Sequence, residues 1–281
     1  MKTSALIFSA VLMLALTASA QEQTPTVEEI YTKYLHAIGG NEKIKNVENK
    51  MDVTLISTEY VTTGEISNQG TAKQEVINYW DYVNVQSATV NKQYPSELTG
   101  DKITFTRYLV ANGKTTIMLP DGKKQESTSL HTGFEEAPFP ETTVPPGAKL
   151  LPNETFNGKE VYVVSYEKST IGTPFQCIAY FDIASGLLEA STQINKEENY
   201  GSNMTTKSLN IYENYKEVDG MLLPHRIKMT IDHETTGALN MKTVTNITME
   251  SIAIEFNISM EDFKNGCFQN PEDCFAKYGA K

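Results

Sequence analysis

The chain has 281 residues, 40% of them hydrophobic, and 35 acidic against 24 basic residues give a formal charge of −11. That balance argues against nucleic acid and against anionic membrane as partners, because both repel an acidic surface. The hydrophobic fraction suffices for one large core or two small ones.

The first twenty residues set the compartment. Lys2 precedes an apolar stretch from Ala5 to Leu16 and the small-residue run Thr17-Ala18-Ser19-Ala20. This pattern predicts a signal peptide over 1–20, cut between Ala20 and Gln21. The apolar stretch is shorter than the roughly 20 residues of a membrane-spanning helix. No cysteine near the cut offers a thiol for lipid attachment. Residues 21–281 are therefore expected to form a single soluble domain outside the cytoplasm, and loss of Lys2 takes the charge from −11 to −12.

A helix comes next. Val27, Ile30, Tyr31, Tyr34, Leu35 and Ile38 recur at helical spacing and predict one apolar stripe that must lie on a partner surface. Thr26 and Glu29 form a capping-box pair, and Gly39-Gly40 supplies the stop. A short second turn is expected over 41–47.

From Met51 onward the period changes to alternation rich in Val, Ile, Thr and Tyr. Turn pairs at Asn112-Gly113, Asp121-Gly122, Asn157-Gly158, Ser185-Gly186 and Asp219-Gly220 punctuate it as successive hairpins. The pattern predicts strands near 51–63, 72–86, 103–111, 115–119, 124–128, 160–168, 175–183, 187–195, 205–217, 221–233 and 241–256. Long strands in a meander curl and close into a barrel or wrap round something. Residues 135–152 interrupt the rhythm with Pro138, Pro140, Pro145, Pro146 and Pro152. Proline cannot donate to a ladder, so a loop or crossover is expected there, with Phe134, Phe139 and Val144 packing it over the sheet.

Three cysteines are an odd number for an oxidising compartment. Cys267 and Cys274 flank a short loop through Asn270-Pro271 and could form a local disulfide, leaving Cys177 as a buried thiol. Their spacing is not that of a structural zinc site, and no metal or cofactor is expected.

Enzyme signatures are missing: the chain has no G-x-S-x-G elbow, no P-loop and no H-E-x-x-H. His233-Glu234 continues as Thr235-Thr236-Gly237 and reads as a solvated pair at a hairpin end. His225 reads as an outward residue at the start of a strand, and His36 and His131 as surface residues. No nucleophile, base and orienting group can be assembled, so the chain is read as a non-enzyme. The sequons at Asn153, Asn203, Asn246 and Asn257 matter only in a host that glycosylates.

Several segments in succession carry a resemblance. They are Tyr34-Leu35-His36-Ala37-Ile38-Gly39-Gly40-Asn41-Glu42-Lys43-Ile44, Asn157 to Val164, Tyr180 to Leu188 and Tyr215 to Pro224. In order and spacing the chain resembles the LolA-like outer-membrane lipoprotein-sorting family, in its Bacteroidetes-type periplasmic form. The resemblance implies a mainly β fold with α (α+β): a curved, unclosed antiparallel half-barrel covered by the N-terminal helix and the Pro-rich loop. It further implies an apolar cavity holding a lipid or the acyl chain of a lipoprotein, with donor and acceptor proteins in the envelope. The strand residues expected to face the helix and line that cavity are Val163, Ser165, Ile178, Tyr180, Leu188, Ile227 and Met229, together with Tyr31, Tyr34 and Ile38. Ordinary core packing is the competing reading for each of them. The early-strand arginine that the best-known carrier uses at its lid has no match here. The alternative to a carrier is a structural or protein-interaction module whose half-barrel is filled by its own side chains.

Overall fold

A computed structural model describes residues 24–40, 46–60, 66–81, 86–97, 100–111, 114–119, 121–127, 143–170, 173–199, 202–236, 240–253, 265–266 and 269–272. One helix, α1 (Val27–Ala37), precedes thirteen strands. These are β1 (Asn46–Tyr60), β2 (Ile66–Asp81), β3 (Gln86–Gln93), β4 (Thr104–Ala111), β5 (Lys114–Met118), β6 (Lys124–Ser127) and β7 (Lys149–Phe156). They continue as β8 (Lys159–Thr170), β9 (Thr173–Asp182), β10 (Leu188–Asn199), β11 (Ser202–Val218), β12 (Met221–Thr235) and β13 (Asn240–Ala253).

All thirteen join one antiparallel sheet, in the order β6-β5-β4-β3-β2-β1-β13-β12-β11-β10-β9-β8-β7. The chain meanders outward from β1 to β6, restarts at the far edge with β7, and returns to pair β13 with β1 in the middle. The sheet is unclosed, with β6 and β7 as its edges.

Two strands were not expected. The span read as 72–86 is mainly β2, and β3 lies almost wholly in 87–102, for which the sequence predicts no strand because Gln86-Ser87-Ala88-Thr89-Val90-Asn91-Lys92-Gln93 offers little apolar alternation. Strand β7 begins within the last four residues, 149–152, of the segment read as a proline loop. It tolerates Pro152 because it is an edge strand and its register slips between Leu151 and Glu154, where no ladder donor is needed. The turn expected over 41–47 is also corrected at its end, since Asn46 and Val47 open β1.

The glycine signals hold where they are described. Asn157-Gly158 has φ of 49° and 81°, and Asp219-Gly220 has 50° and 76°, which is the left-handed pair that a two-residue hairpin turn requires. Between β9 and β10, the Asp182 carboxylate accepts from Ala184 N (3.0 Å), Ser185 N (3.3 Å) and Ser185 Oγ (2.6 Å).

The helix forms as its sequence dictates. Glu29 N donates to Thr26 Oγ1 at 3.2 Å and Thr26 N donates to Glu29 Oε2 at 2.8 Å, closing the capping box. Its stripe of Val27, Ile30, Tyr31, Tyr34 and Ile38 is buried. The stripe joins a cluster with Val164 and Tyr166 of β8, Cys177, Ala179 and Phe181 of β9, Leu188 of β10, Tyr212 of β11, and Met221, Leu223 and Ile227 of β12. The Phe181 ring lies 5.1 Å from that of Tyr31 and 5.4 Å from that of Tyr34, both tilted. Val144 and Ala148 pack against the same cluster, so the segment entering β7 lies on the helix side. Phe134 and Phe139 lie outside the described residues.

The middle and the C-terminal end of α1 are tied to hairpin tips. Lys33 Nζ donates to the Ile183 carbonyl, and Leu222 N donates to Ile38 O at 3.1 Å. Gly39, at φ +99°, passes so close to Gly220 that a Cβ would sit 2.4 Å from its carbonyl oxygen.

Candidate functional site

The face that carries α1, here the inner face, can be followed across the whole sheet by register. Tyr212 pairs with Ile227, Ile227 with Ile247, Ile247 with Val53, Val53 with Gln74, Gln74 with Gln93 and Gln93 with Thr104. Directly opposed residues share a face. The inner face therefore has two sectors. Under the helix, on β8 to β12, it is apolar and closely packed. On β2 to β5 it is lined by amides and hydroxyls interrupted by Ala72, Val76, Val110 and Ile117.

Charge separates the two faces. On β2 to β6 the described charged residues Lys73, Glu75, Lys92, Arg107, Lys114, Lys124 and Glu126 all fall on the outer register positions, and none falls on the inner ones. Outer cross-strand neighbours pair, as in Lys92 Nζ–Glu75 Oε2 at 3.2 Å and Arg226 Nε–Glu213 Oε2 at 3.4 Å. Lys73 and Lys92 also lie over the Tyr94 ring, at 5.5 and 4.8 Å from its centroid. Ile77, Tyr79, Ala88 and Val90 are buried on the outer positions as well, so β2 and β3 are covered on both faces and the position of the charges is what distinguishes the two.

The inner polar sector is a ladder. Thr89 Oγ1 donates to Asn78 Oδ1 at 2.6 Å, Asn91 Nδ2 to Gln74 Oε1 at 2.9 Å, and Thr104 Oγ1 to Gln93 Oε1 at 3.2 Å. Asn78, Ser87, Thr106 and Thr115 on this sector are buried, as are Ala72, Val76 and Val110. Asn91 Oδ1 is buried and accepts no hydrogen bond among the described residues. Leaving such an acceptor unmet costs about 1–3 kcal/mol, so the position is costly unless something else meets it. Asn195 Oδ1, on the inner face of β10, is in the same state.

The apolar sector is self-sealing. Tyr215 Oη donates to the Leu188 carbonyl at 2.6 Å. Burial, and after it the nearby Tyr34, Tyr212 and Glu189, raise the Tyr215 pKa well above its ordinary value and keep the phenol a donor. Tyr212 Oη and Ser191 Oγ share a hydrogen bond at 3.0 Å.

The predicted lining residues fall on two faces. Tyr31, Tyr34 and Ile38 of the helix and Leu188 and Ile227 belong to the inner cluster, and Met229 follows Ile227 on the same register face, opposite Asn210. Val163, Ser165, Ile178 and Tyr180 are on the outer face. Val163 pairs with Tyr180 and Ser165 with Ile178, while the inner cluster takes Val164, Tyr166, Cys177 and Ala179. The four do not face the helix as expected. On β8 the run Val161-Tyr162-Val163-Val164 is apolar on both faces, so alternation could not choose between them. Tyr180 instead stacks on Phe156 of β7, with 5.3 Å between ring centroids.

His225 is also corrected. It is buried on β12 and its Nδ1 lies 3.0 Å from the Leu223 carbonyl, so it does not point outward. His233 is half-buried with Nδ1 3.0 Å from Thr206 Oγ1, and His36 is exposed. Cys177 is buried and forms no disulfide. Ala20, Gln21, His131, Cys267 and Cys274 lie outside the described residues. Among the described residues, no group of three or more His, Cys, Asp or Glu is placed to hold a metal ion, and no helix is long and apolar enough to cross a membrane.

The ladder residues Gln74, Asn91 and Gln93 were not picked out from the sequence. Their signal was the position of the charges: Lys73, Glu75, Lys92 and Arg107 mark the outer parity, and so leave the alternate residues facing in.

No family model and no curated protein matches the chain. Among solved structures it is similar to a lipovitellin, described for its lipid–protein interactions, at 10% identity and a TM-score of 0.35 over 76% of this chain. It spans about a quarter of that chain, 26%. It is also similar to LprF from Mycobacterium bovis, at 11% identity and TM-score 0.24 over 83% of this chain and 95% of that one. A third is the MucA/MucB complex of Pseudomonas aeruginosa, at 8% identity and TM-score 0.22 over 81% and 99%.

Proposed function

We propose that this chain is a non-catalytic, periplasmic binding protein of the lipoprotein-sorting type, which holds the acyl chain of a lipid or lipoprotein against the inner face of its sheet. In this reading the sheet curls into an unclosed half-barrel whose hollow is the inner face, with α1 and the segment before β7 covering one sector. The observation that supports it is the lack of formal charge on the inner face of β2 to β6, where Ala72, Val76, Val110 and Ile117 sit among uncharged amides. Transfer of an acyl chain to such a surface yields about 0.8 kcal/mol per buried CH₂. A chain of ordinary length then reaches micromolar affinity if the hollow is pre-formed.

The packing under α1 favours a second reading, an interaction module filled by its own side chains. Tyr31, Tyr34, Phe181, Leu188 and Leu223 already occupy that sector and are almost wholly buried. Native mass spectrometry of the chain from Gln21, followed by lipid extraction and displacement of a fluorescent fatty acid, separates the two. A stoichiometric acyl-bearing species that competes with the probe supports the carrier. A clean apo mass without probe binding rejects it in favour of the module.

A further inference from the structure

The polar ladder on β2 to β4 has more hydrogen-bonding capacity than the strands use. Each of its contacts occupies the side-chain carbonyl oxygen of Asn78, Gln74 or Gln93. The Nε2 groups of Gln74 and Gln93 have no partner among the described residues, and neither does the buried Oδ1 of Asn91. Gln74 and Gln93 face each other directly across β2 and β3, and Asn91 is the next inward residue of β3. Two amide nitrogens and one amide oxygen therefore belong to neighbouring inward positions of one patch. No cation and no anion shares that face on β2 to β6.

The patch selects by charge and by hydrogen-bonding type. A phosphate or carboxylate would offer acceptors only, leave Asn91 Oδ1 unmet, and lose its hydration without an Arg or Lys in return. An ammonium would offer donors only and likewise find no counter-charge. A hydroxyl both donates and accepts, so adjacent hydroxyls can meet an amide nitrogen and an amide oxygen together. We infer that the Gln74–Asn91–Gln93 patch is a subsite for a neutral, hydroxyl-bearing group. In the carrier reading, on which this inference rests, it takes the head of an uncharged amphiphile, with the chain lying along Ala72, Val76 and Val110.

The test is calorimetric titration of the chain from Gln21 with monooleoylglycerol and with oleoyl lysophosphatidic acid, which share chain and glycerol but differ by a phosphate. Maltose, a polyol without a chain, is the third titrant. Wild type is expected to prefer monooleoylglycerol by about tenfold or more. The double variant Gln74→Leu, Asn91→Leu is expected to bind both lipids equally. Should that variant fail to fold by circular dichroism, Asn91→Asp keeps the side-chain shape and is expected to lower monooleoylglycerol affinity. Equal binding of the two lipids by wild type, or a preference for the phosphate, overturns the head-group inference and leaves the carrier reading intact. Maltose binding with neither lipid bound keeps the hydroxyl subsite, assigns it to a free polyol and overturns the carrier. No binding of any titrant overturns both.

Discussion

Individual residues show how narrowly the inner sector is built. Gly39 combines a left-handed φ of +99° with a virtual Cβ 2.4 Å from Gly220 O, whereas Gly40 at +90° has open space around it. Gly39→Ala should therefore cost about 2–3 kcal/mol in urea denaturation and Gly40→Ala about 1 kcal/mol, the backbone strain without the clash. A larger loss at Gly40 would show that the approach of α1 to the β11–β12 turn is not what Gly39 serves. Asp182 is a second such position. Burial disfavours its charge, but hydrogen bonds from Ser185 and the Ala184 and Ser185 amides, with Lys159 nearby, outweigh burial and hold its pKa below the ordinary carboxylate value. A depressed carboxyl stabilises the fold above its unfolded pKa, and that contribution is lost as pH falls through the folded one. Asp182→Ala should cost about 1–3 kcal/mol at neutral pH. The deficit should shrink as pH drops below about 4, the unfolded value. A deficit unchanged down to full protonation would assign the effect to shape alone.

At the scale of elements, the helix was the most legible part of the sequence. A capping pair, a stripe at helical spacing and a double glycine all agree on its limits, because each of those signals is local. Removing the Thr26 hydroxyl (Thr26→Ala) should cost about 1 kcal/mol. Phe181→Ala, which empties the floor beneath Tyr31 and Tyr34, should cost about 3–5 kcal/mol, both read by chemical denaturation. The strands were legible in number and order only where a turn residue divided them. β3 was missed because its polar run, Gln86 to Gln93, shows little apolar alternation, and β7 was lost behind Pro152, which an edge position makes harmless. Facing was legible where charges alternate, as at Lys73, Glu75 and Lys92, and illegible on β8, where both faces are apolar. This is why four of the ten expected lining residues turned out to face away, while the amide ladder passed unnoticed. The edges themselves are blunted: β6 has four residues with a Lys124–Glu126 pair at 2.6 Å, and β7 has a proline and a register slip.

At the scale of the whole molecule, the described fold is one sheet whose inner face is free of charge on β2 to β6 and is covered by a single helix on β8 to β12. Removing residues 24–40 should uncover the apolar floor of Phe181, Leu188, Leu223 and Ile227. The truncated chain is expected to bind an apolar dye such as anilinonaphthalene sulfonate and to self-associate in gel filtration. A monomer without dye binding would show that another segment covers that floor. The tethers of α1 also have a consequence in time. Lys33 meets Ile183 across 150 residues of chain, and Ile38 meets Leu222 across still more. The first element to be synthesised thus finds its seat only when nearly all the strands have been made. Closing so long a loop is a late and entropically costly step. Until then the tyrosines of α1 are without their floor, and the stripe they carry is open to contact with other chains.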